Sequence, residues 1–359
     1  MHRTAALFVG FFIVLCPAWA GALTIDEIQQ AIQRAGAHWQ AGDNPVWARR
    51  DTMMITPWSE APKFDGTETH FVYRGGRALP AQLDWRNLNG ANWITPIKDQ
   101  GQCGSCWAFA TVAPIETSVA HANGWTDPTF DLSEQDLLSC AVNFGCEGGG
   151  MTPISFNYAR EVGLVDATCF PYVADKVSCN ERCENWRERV TKINSWDLVG
   201  GLWATPDDVM AALQVNPVAT SMVVYEDFQS YKGGIYTTVI GKYVGTHAVT
   251  IVGYDADQQY WICKNSWGDG WGEHGFFRIH WGAAEIGVMS ILPHFLAPAG
   301  DDDDDNDDND DNDDDNDNDN DDNDDNDDND DNDDDNGGDD DPPPAHLDSA
   351  GDHSGGCGG

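Results

Sequence analysis

The chain is predicted to fold as an α+β protein, because helix-like patterns crowd its first half and strand-like patterns its second. A third observation sets a limit on that fold. Residues 301 to 341 are almost wholly Asp and Asn in a loose Asp-Asp-Asn period, which cannot bury apolar surface and repels itself. The packed domain must therefore end before Asp301.

Taken in order, the first segment reads as an export signal over residues 1–20. Arg3 supplies positive charge, Ala5 to Leu15 is apolar, and Ala18-Trp19-Ala20 is a small-x-small cleavage site, with cutting expected after Ala20 or Ala22. The apolar run is short for a membrane anchor, and no other stretch is long and apolar enough to span a bilayer. Secretion is expected, to the periplasm or cell surface if the source is a Gram-negative bacterium.

Residues 21–78 look like a separate segment. Ile25, Ile28, Ile32 and Trp39 share a helical spacing, with Thr24 as N-cap, so an amphipathic helix is expected over Leu23 to Trp39. The Pro-, Gly- and Thr-rich stretch after it reads as extended. A small subdomain would explain the segment. A propeptide, cut away near Arg77 to Leu83, explains it better.

Residues 79–298 are expected to form the core domain. Ser105 to Asn123 suits a long helix despite Pro114, and Ser133 to Cys140 a short one, with Ser133 and Asp136 as a capping pattern. Val218 to Val224, Ala248 to Tyr254, Tyr260 to Lys264 and Gly275 to Ile279 are β-rich runs punctuated by glycine. The tail, residues 299–359, is expected to be disordered and extended. Its role is open between a solvating extension, weak many-sited Ca²⁺ binding by residues 301–341, and a spacer ending at Cys357. The repeat lacks the glycine and terminal glutamate of an EF-hand loop.

Net charge is −42, from 61 acidic and 19 basic residues. The tail holds 30 of the acids and none of the bases, which leaves about −12 for the rest, an ordinary acidic globular value. No basic patch of the kind nucleic-acid binding needs is present. Ten cysteines in an exported chain imply disulfides. Cys16 leaves with the signal and Cys357 sits in the tail. The eight between are Cys103, Cys106, Cys140, Cys146, Cys169, Cys179, Cys183 and Cys263.

A reactive constellation stands out among these residues. Cys106 begins the expected long helix, where the dipole and free N–H groups favour a thiolate. His247 would lower the thiol pKa further and later protonate a leaving amine. Asn265 would hold the imidazole by accepting its other N–H. The side-chain amide of Gln100, with the backbone N–H of Cys106, could donate to a developing oxyanion. Singly, each has a plainer reading: half a disulfide, a structural histidine, a turn residue. In this order and context they point to an activated cysteine nucleophile.

With these residues in view, the chain resembles papain-like cysteine proteases over roughly residues 79 to 295. The resemblance rests on Leu83-Asp84-Trp85-Arg86, Gln100 to Phe109, Leu132-Ser133-Glu134-Gln135, Gly145-Cys146-Glu147-Gly148-Gly149, Phe170-Pro171-Tyr172, Gly233-Gly234-Ile235-Tyr236, His247-Ala248-Val249, and Asn265-Ser266-Trp267-Gly268 with Gly270-Trp271-Gly272. It implies a papain-like two-lobe fold, with a helical left lobe carrying Cys106, a β-barrel-like right lobe carrying His247 and Asn265, and the active-site cleft between. Trp267 would shield the His–Asn bond from water. Gly104, Gly148 and Gly149 would face substrate backbone. Gly150, Met151, Ser221, Gly245 and Ala248, with His294 as a further candidate, would line the P2 pocket, which favours a hydrophobic P2 residue.

The same resemblance implies disulfides Cys103–Cys146 and Cys140–Cys179, leaving Cys169–Cys183 as a third pair and Cys263 as a buried free thiol. His38-Trp39-Gln40-Ala41-Gly42 looks like a short cathepsin B-type pro-region. The step from Gly149 to Tyr172 is too short for the insertion that gives cathepsin B its dipeptide-trimming activity, so endopeptidase action is expected. The implied function is a secreted zymogen that hydrolyses peptide bonds through a thioester on Cys106. It would act as a monomer on polypeptide substrates, with its own propeptide as inhibitor, no cofactor, and no metal in the active site. The rivals are a binding homologue that no longer turns over, and a calcium-responsive adhesive protein acting through its tail.

Overall fold

Pro114 falls inside the longest helix, α3 (Cys106–Ala122), and its consequences are absorbed by neighbours. A proline cannot donate to the carbonyl four residues back. That carbonyl, of Ala110, instead lies 3.4 Å from the Thr250 hydroxyl, and the carbonyl of Pro114 itself accepts from Asn216. The helix is buried along its whole length from Cys106 to Ala120, so it runs through the middle of the protein rather than over its surface.

The computed structural model describes residues 22–52, 55, 69–76, 78–141, 145–148 and 152–297. The chain divides into two units, residues 1–300 and 301–359. All of the second unit, and with it the tail and its calcium reading, lies outside the described residues, as does the export signal.

Before α3 come α1 (Ile25–Ala35), β1 (Trp39–Ala41), α2 (Pro45–Ala48), β2 (Thr69–Phe71) and β3 (Gln82–Asp84). Thr24 caps α1 through a reciprocal pair with Glu27, and Ile28 and Ile32 are buried. The helix stops four residues short of Trp39, contrary to the sequence expectation. Gly36 takes the left-handed conformation at φ 62°, which ends the helix and frees Trp39 to begin a strand. After α3 come α4 (Glu134–Asp136), a π-helical turn over Leu137–Ala141, α5 (Gly145–Gly148), α6 (Thr152–Glu161), β4 (Leu164–Val165), β5 (Val190–Thr191), β6 (Ser195–Val199) and α7 (Pro206–Ala212). Five long strands follow: β7 (Val218–Tyr225), β8 (Tyr231–Tyr236), β9 (Tyr243–Asp255), β10 (Tyr260–Lys264) and β11 (Phe276–His280), and then β12 (Val288–His294) closes the fold.

Ten strands make one mixed sheet in the order β1-β8-β11-β10-β9-β7-β12-β6-β2, with β3 added on β9. Among the described residues this path stays open, so the expected barrel-like lobe is a sheet that does not close. Both ends of the path, β1 and β2, come from the segment before residue 79. Two cores flank the site. One joins Ile28, Trp39 and Trp47 to Tyr231, Tyr236, Trp271 and Phe277. The other surrounds α3 with Leu132, Leu137, Phe156 and Ile291.

Candidate active site

The sequence places Cys106 at the first turn of α3, and the fold brings β9 across it. The Ala248 N–H points at Cys106 Sγ at 3.5 Å, although 142 residues separate them. His247, the preceding residue, is paired in register with Met222 of β7 and is buried. Its Nε2 lies 2.7 Å from Asn265 Oδ1. An amide oxygen can only accept, so Nε2 carries the proton and Nδ1 is left with a lone pair for chemistry. Trp267 stacks on the imidazole at 4.7 Å between ring centroids and is itself 1% exposed. The Nδ2 of Asn265 is buried and has no partner among the described residues.

Gln100 is held from both sides. Its Nε2 donates to the Cys103 carbonyl at 2.8 Å, and its Oε1 accepts from the Ser266 hydroxyl at 2.7 Å. The amide orientation is thereby fixed, with one N–H left over. The backbone N–H of Cys106 stands among the helix-start donors that have no partner within the helix. The Cys103–Cys146 disulfide and the bond from Gly104 N–H to the Cys146 carbonyl fix the loop that delivers the nucleophile. Cys140–Cys179 and Cys169–Cys183 are bridged too, and Cys263 is a buried free thiol.

The electrostatics of the site are set by burial. Burial pushes the Cys106 thiol up to about 11, against the pull of the N–H groups of Ala248, Trp107 and Cys106 itself. Burial also drives His247 down to about 4, against the bond to Asn265. At neutral pH both groups are therefore uncharged. Behind them, Lys98 joins the buried carboxylates of Glu116 and Glu134 at 2.9 and 2.7 Å. Lys264, next to Asn265, donates to Thr95, which in turn bonds Glu116.

Of the remaining expected residues, Ser221 and Ala248 are paired partners on β7 and β9, and Gly245 pairs with Val224 farther along. Gly148 ends α5, while Gly149, Gly150 and Met151 lie outside the described residues. His294 does not stand alone: its Nε2 is 2.8 Å from Asp197 of β6. No motif in the sequence marks Asp197. Only strand pairing brings the two together. Among the described residues no cluster of His, Cys, Asp and Glu is arranged to hold a metal, and no helix is long and apolar enough to cross a membrane.

A family model described as papain family cysteine protease matches residues 79–293. Pro-cathepsin H of Mus musculus is 34% identical over 245 residues, 65% of this chain and 69% of that protein. Ananain of Ananas comosus is 35% identical over 205 residues, 56% of each. Among solved structures, digestive procathepsin L 3 of Tenebrio molitor larval midgut superposes with a TM-score of 0.61 at 26% identity, covering 76% of this chain and 88% of that one. The family match reaches well beyond the reactive residues to most of the framework around them, and the chain belongs to the papain family of cysteine proteases, cysteine-type peptidases that hydrolyse peptide bonds.

Proposed function

We propose that the protein is a secreted, zymogen-type cysteine endopeptidase. The observation that carries this reading is the convergence of Cys106, His247, Asn265 and Gln100 at one buried point. In the uncovered enzyme, His247 Nδ1 takes the thiol proton and Cys106 Sγ attacks the scissile carbonyl. The oxyanion is received by the Cys106 N–H and the free N–H of Gln100. The imidazolium returns its proton to the leaving amine as the C–N bond breaks, leaving a thioester. Water, deprotonated by His247, hydrolyses it and restores the thiol. Asn265 and Trp267 keep the ring in the tautomer this needs. No cofactor enters the cycle.

The segment before residue 79 acts as the inhibitor. β1 pairs with β8, Arg49 grips Asp99 through two bonds of 3.0 and 3.1 Å, and Thr52 bonds Gln102, four residues before the nucleophile. The buried, uncharged thiol and imidazole fit a latent state. Export follows from the leader pattern at residues 1–20, and endopeptidase action from the short step between Gly149 and Tyr172. The P2 pocket is built from Ser221, Ala248 and their neighbours.

Active-site labelling with an epoxide cysteine-protease inhibitor tests this. A single adduct on Cys106 is expected after processing, found by intact mass and peptide mapping, and lost in His247→Ala. Folded, processed protein that takes no adduct would overturn the reading.

A further inference from the structure

The open path of the sheet has an edge that its own chain fills. β2 lies parallel to β6, with Thr69, His70 and Phe71 opposite Asp197, Leu198 and Val199. Three further contacts fix it. The Thr69 hydroxyl donates to the Trp196 carbonyl at 2.9 Å, the Gly200 N–H donates to the Phe71 carbonyl at 2.7 Å, and the Tyr73 N–H donates to Asp208 Oδ1 at 2.8 Å. Phe71 packs against the larger core. The receiving groups belong to β6 and to the turn and first residues of α7. Asp208 is additionally held by Thr205, so its carboxylate is aimed whether or not Tyr73 is present. Between Gly200 and Thr205 the loop carries Trp203, 64% exposed.

If residues 21–78 leave on maturation, β6 keeps β12 on one side and loses β2 on the other. A row of strand N–H and C=O groups, the Gly200 N–H, the Asp208 carboxylate and an apolar seat then stand open together. Such an edge binds extended peptide by completing the ladder. We propose that the β6 edge is a docking site for an extended segment of the polypeptide substrate, remote from the bond that is cut. This rests on the zymogen reading above. β2 itself shows the chemistry of a fitting occupant: a hydroxyl residue, an aromatic two positions on, and a backbone N–H to donate beyond it. Four strand spacings separate β9, which carries His247, from the docked strand, or about 19 Å. About six extended residues would bridge that gap, so short substrates cannot use the site and proteins can.

The test uses full-length protein allowed to process itself. Intact mass reads the new N-terminus, and Cys106 is then blocked with the epoxide. A fluorescent peptide of residues 69–74 is titrated and followed by anisotropy. Saturable binding is expected to the processed enzyme and not to the unprocessed chain, whose edge is filled. Phe71→Ala in the peptide should weaken binding about tenfold. On unblocked enzyme the peptide should slow cleavage of an unfolded protein and leave cleavage of a dipeptidyl amide unchanged. Equal binding to both forms, no binding to the processed form, a mature chain that keeps residues 69–76, or a mature dimer that excludes the peptide would each overturn the proposal. Dipeptidyl amide turnover tests the protease reading separately, because anisotropy needs no turnover.

Discussion

Cys106 and His247 show what a single pair of side chains owes to its surroundings. A thiol at a helix start is expected to be acidic, yet here burial outweighs the helix and holds it near 11. The sign of each shift sets a pH window. His247 has its folded value lowered from 6.5 to about 4, so its contribution to the closed state is complete above 6.5 and is lost as pH falls towards 4. Cys106 has its value raised from 9.0, so its contribution is complete below 9.0 and lost as pH rises towards about 11. Denaturant melts of the unprocessed Cys106→Ser protein should therefore lose stability between pH 6.5 and 4, and His247→Gln should flatten that loss relative to the parent. In processed enzyme, His247→Ala should lower kcat/KM by about 10²–10⁴-fold, measured on a peptide amide. The four reactive residues were legible because each sits in a short, distinctive stretch of sequence. The Ala248 N–H on the sulfur, the Ser266 bond to Gln100 and the Asp197–His294 pair were not, because each joins residues that only the fold makes neighbours.

At the scale of the element, two features depend on backbone approach and on buried charge. Gly234 of β8 sits opposite Trp39 at φ +97°, and a Cβ there would lie 2.3 Å from the His38 carbonyl oxygen. Gly234→Ala should therefore expel β1, and time courses of processing should show the unprocessed chain activating sooner. Around α3 and α4, the single Lys98 ammonium is shared by Asp131 and by Glu116 and Glu134, whose side chains are 0% and 4% exposed. Lys98→Met would strand two buried carboxylates and should cost about 3–5 kcal/mol in equilibrium denaturation. Helix and strand positions were legible from periodicity, and α3 and β10 agree closely with it. The end of α1 was not, because Trp39 continues the helical spacing while Gly36 breaks the helix by conformation. Sheet closure was also illegible, since alternation fixes which residues face inwards and says nothing about whether the last strand meets the first.

Across the whole molecule, charge and covalent links are unevenly spread. The tail carries 30 of 61 acidic residues. A chain ending at residue 299 should still process itself and cleave a peptide amide at the parent rate, with or without calcium, and a loss of activity on truncation would reassign the tail to the catalytic machinery. Among the described residues the three disulfides fall between Cys103 and Cys183, and β9 with His247 and β10 leading to Asn265 have none, only the free thiol of Cys263. Closing the 43-residue span from Cys103 to Cys146 is worth about 4 kcal/mol in the chain-entropy account. The two halves of the reactive centre are therefore held by different chemistry. Packing and hydrogen bonds alone place the base and its amide, whereas the loop that presents the nucleophile is also held by a bond that a reductant can open. A reductant therefore acts on the nucleophile's half of the centre and, among the described residues, finds no disulfide to open in the other.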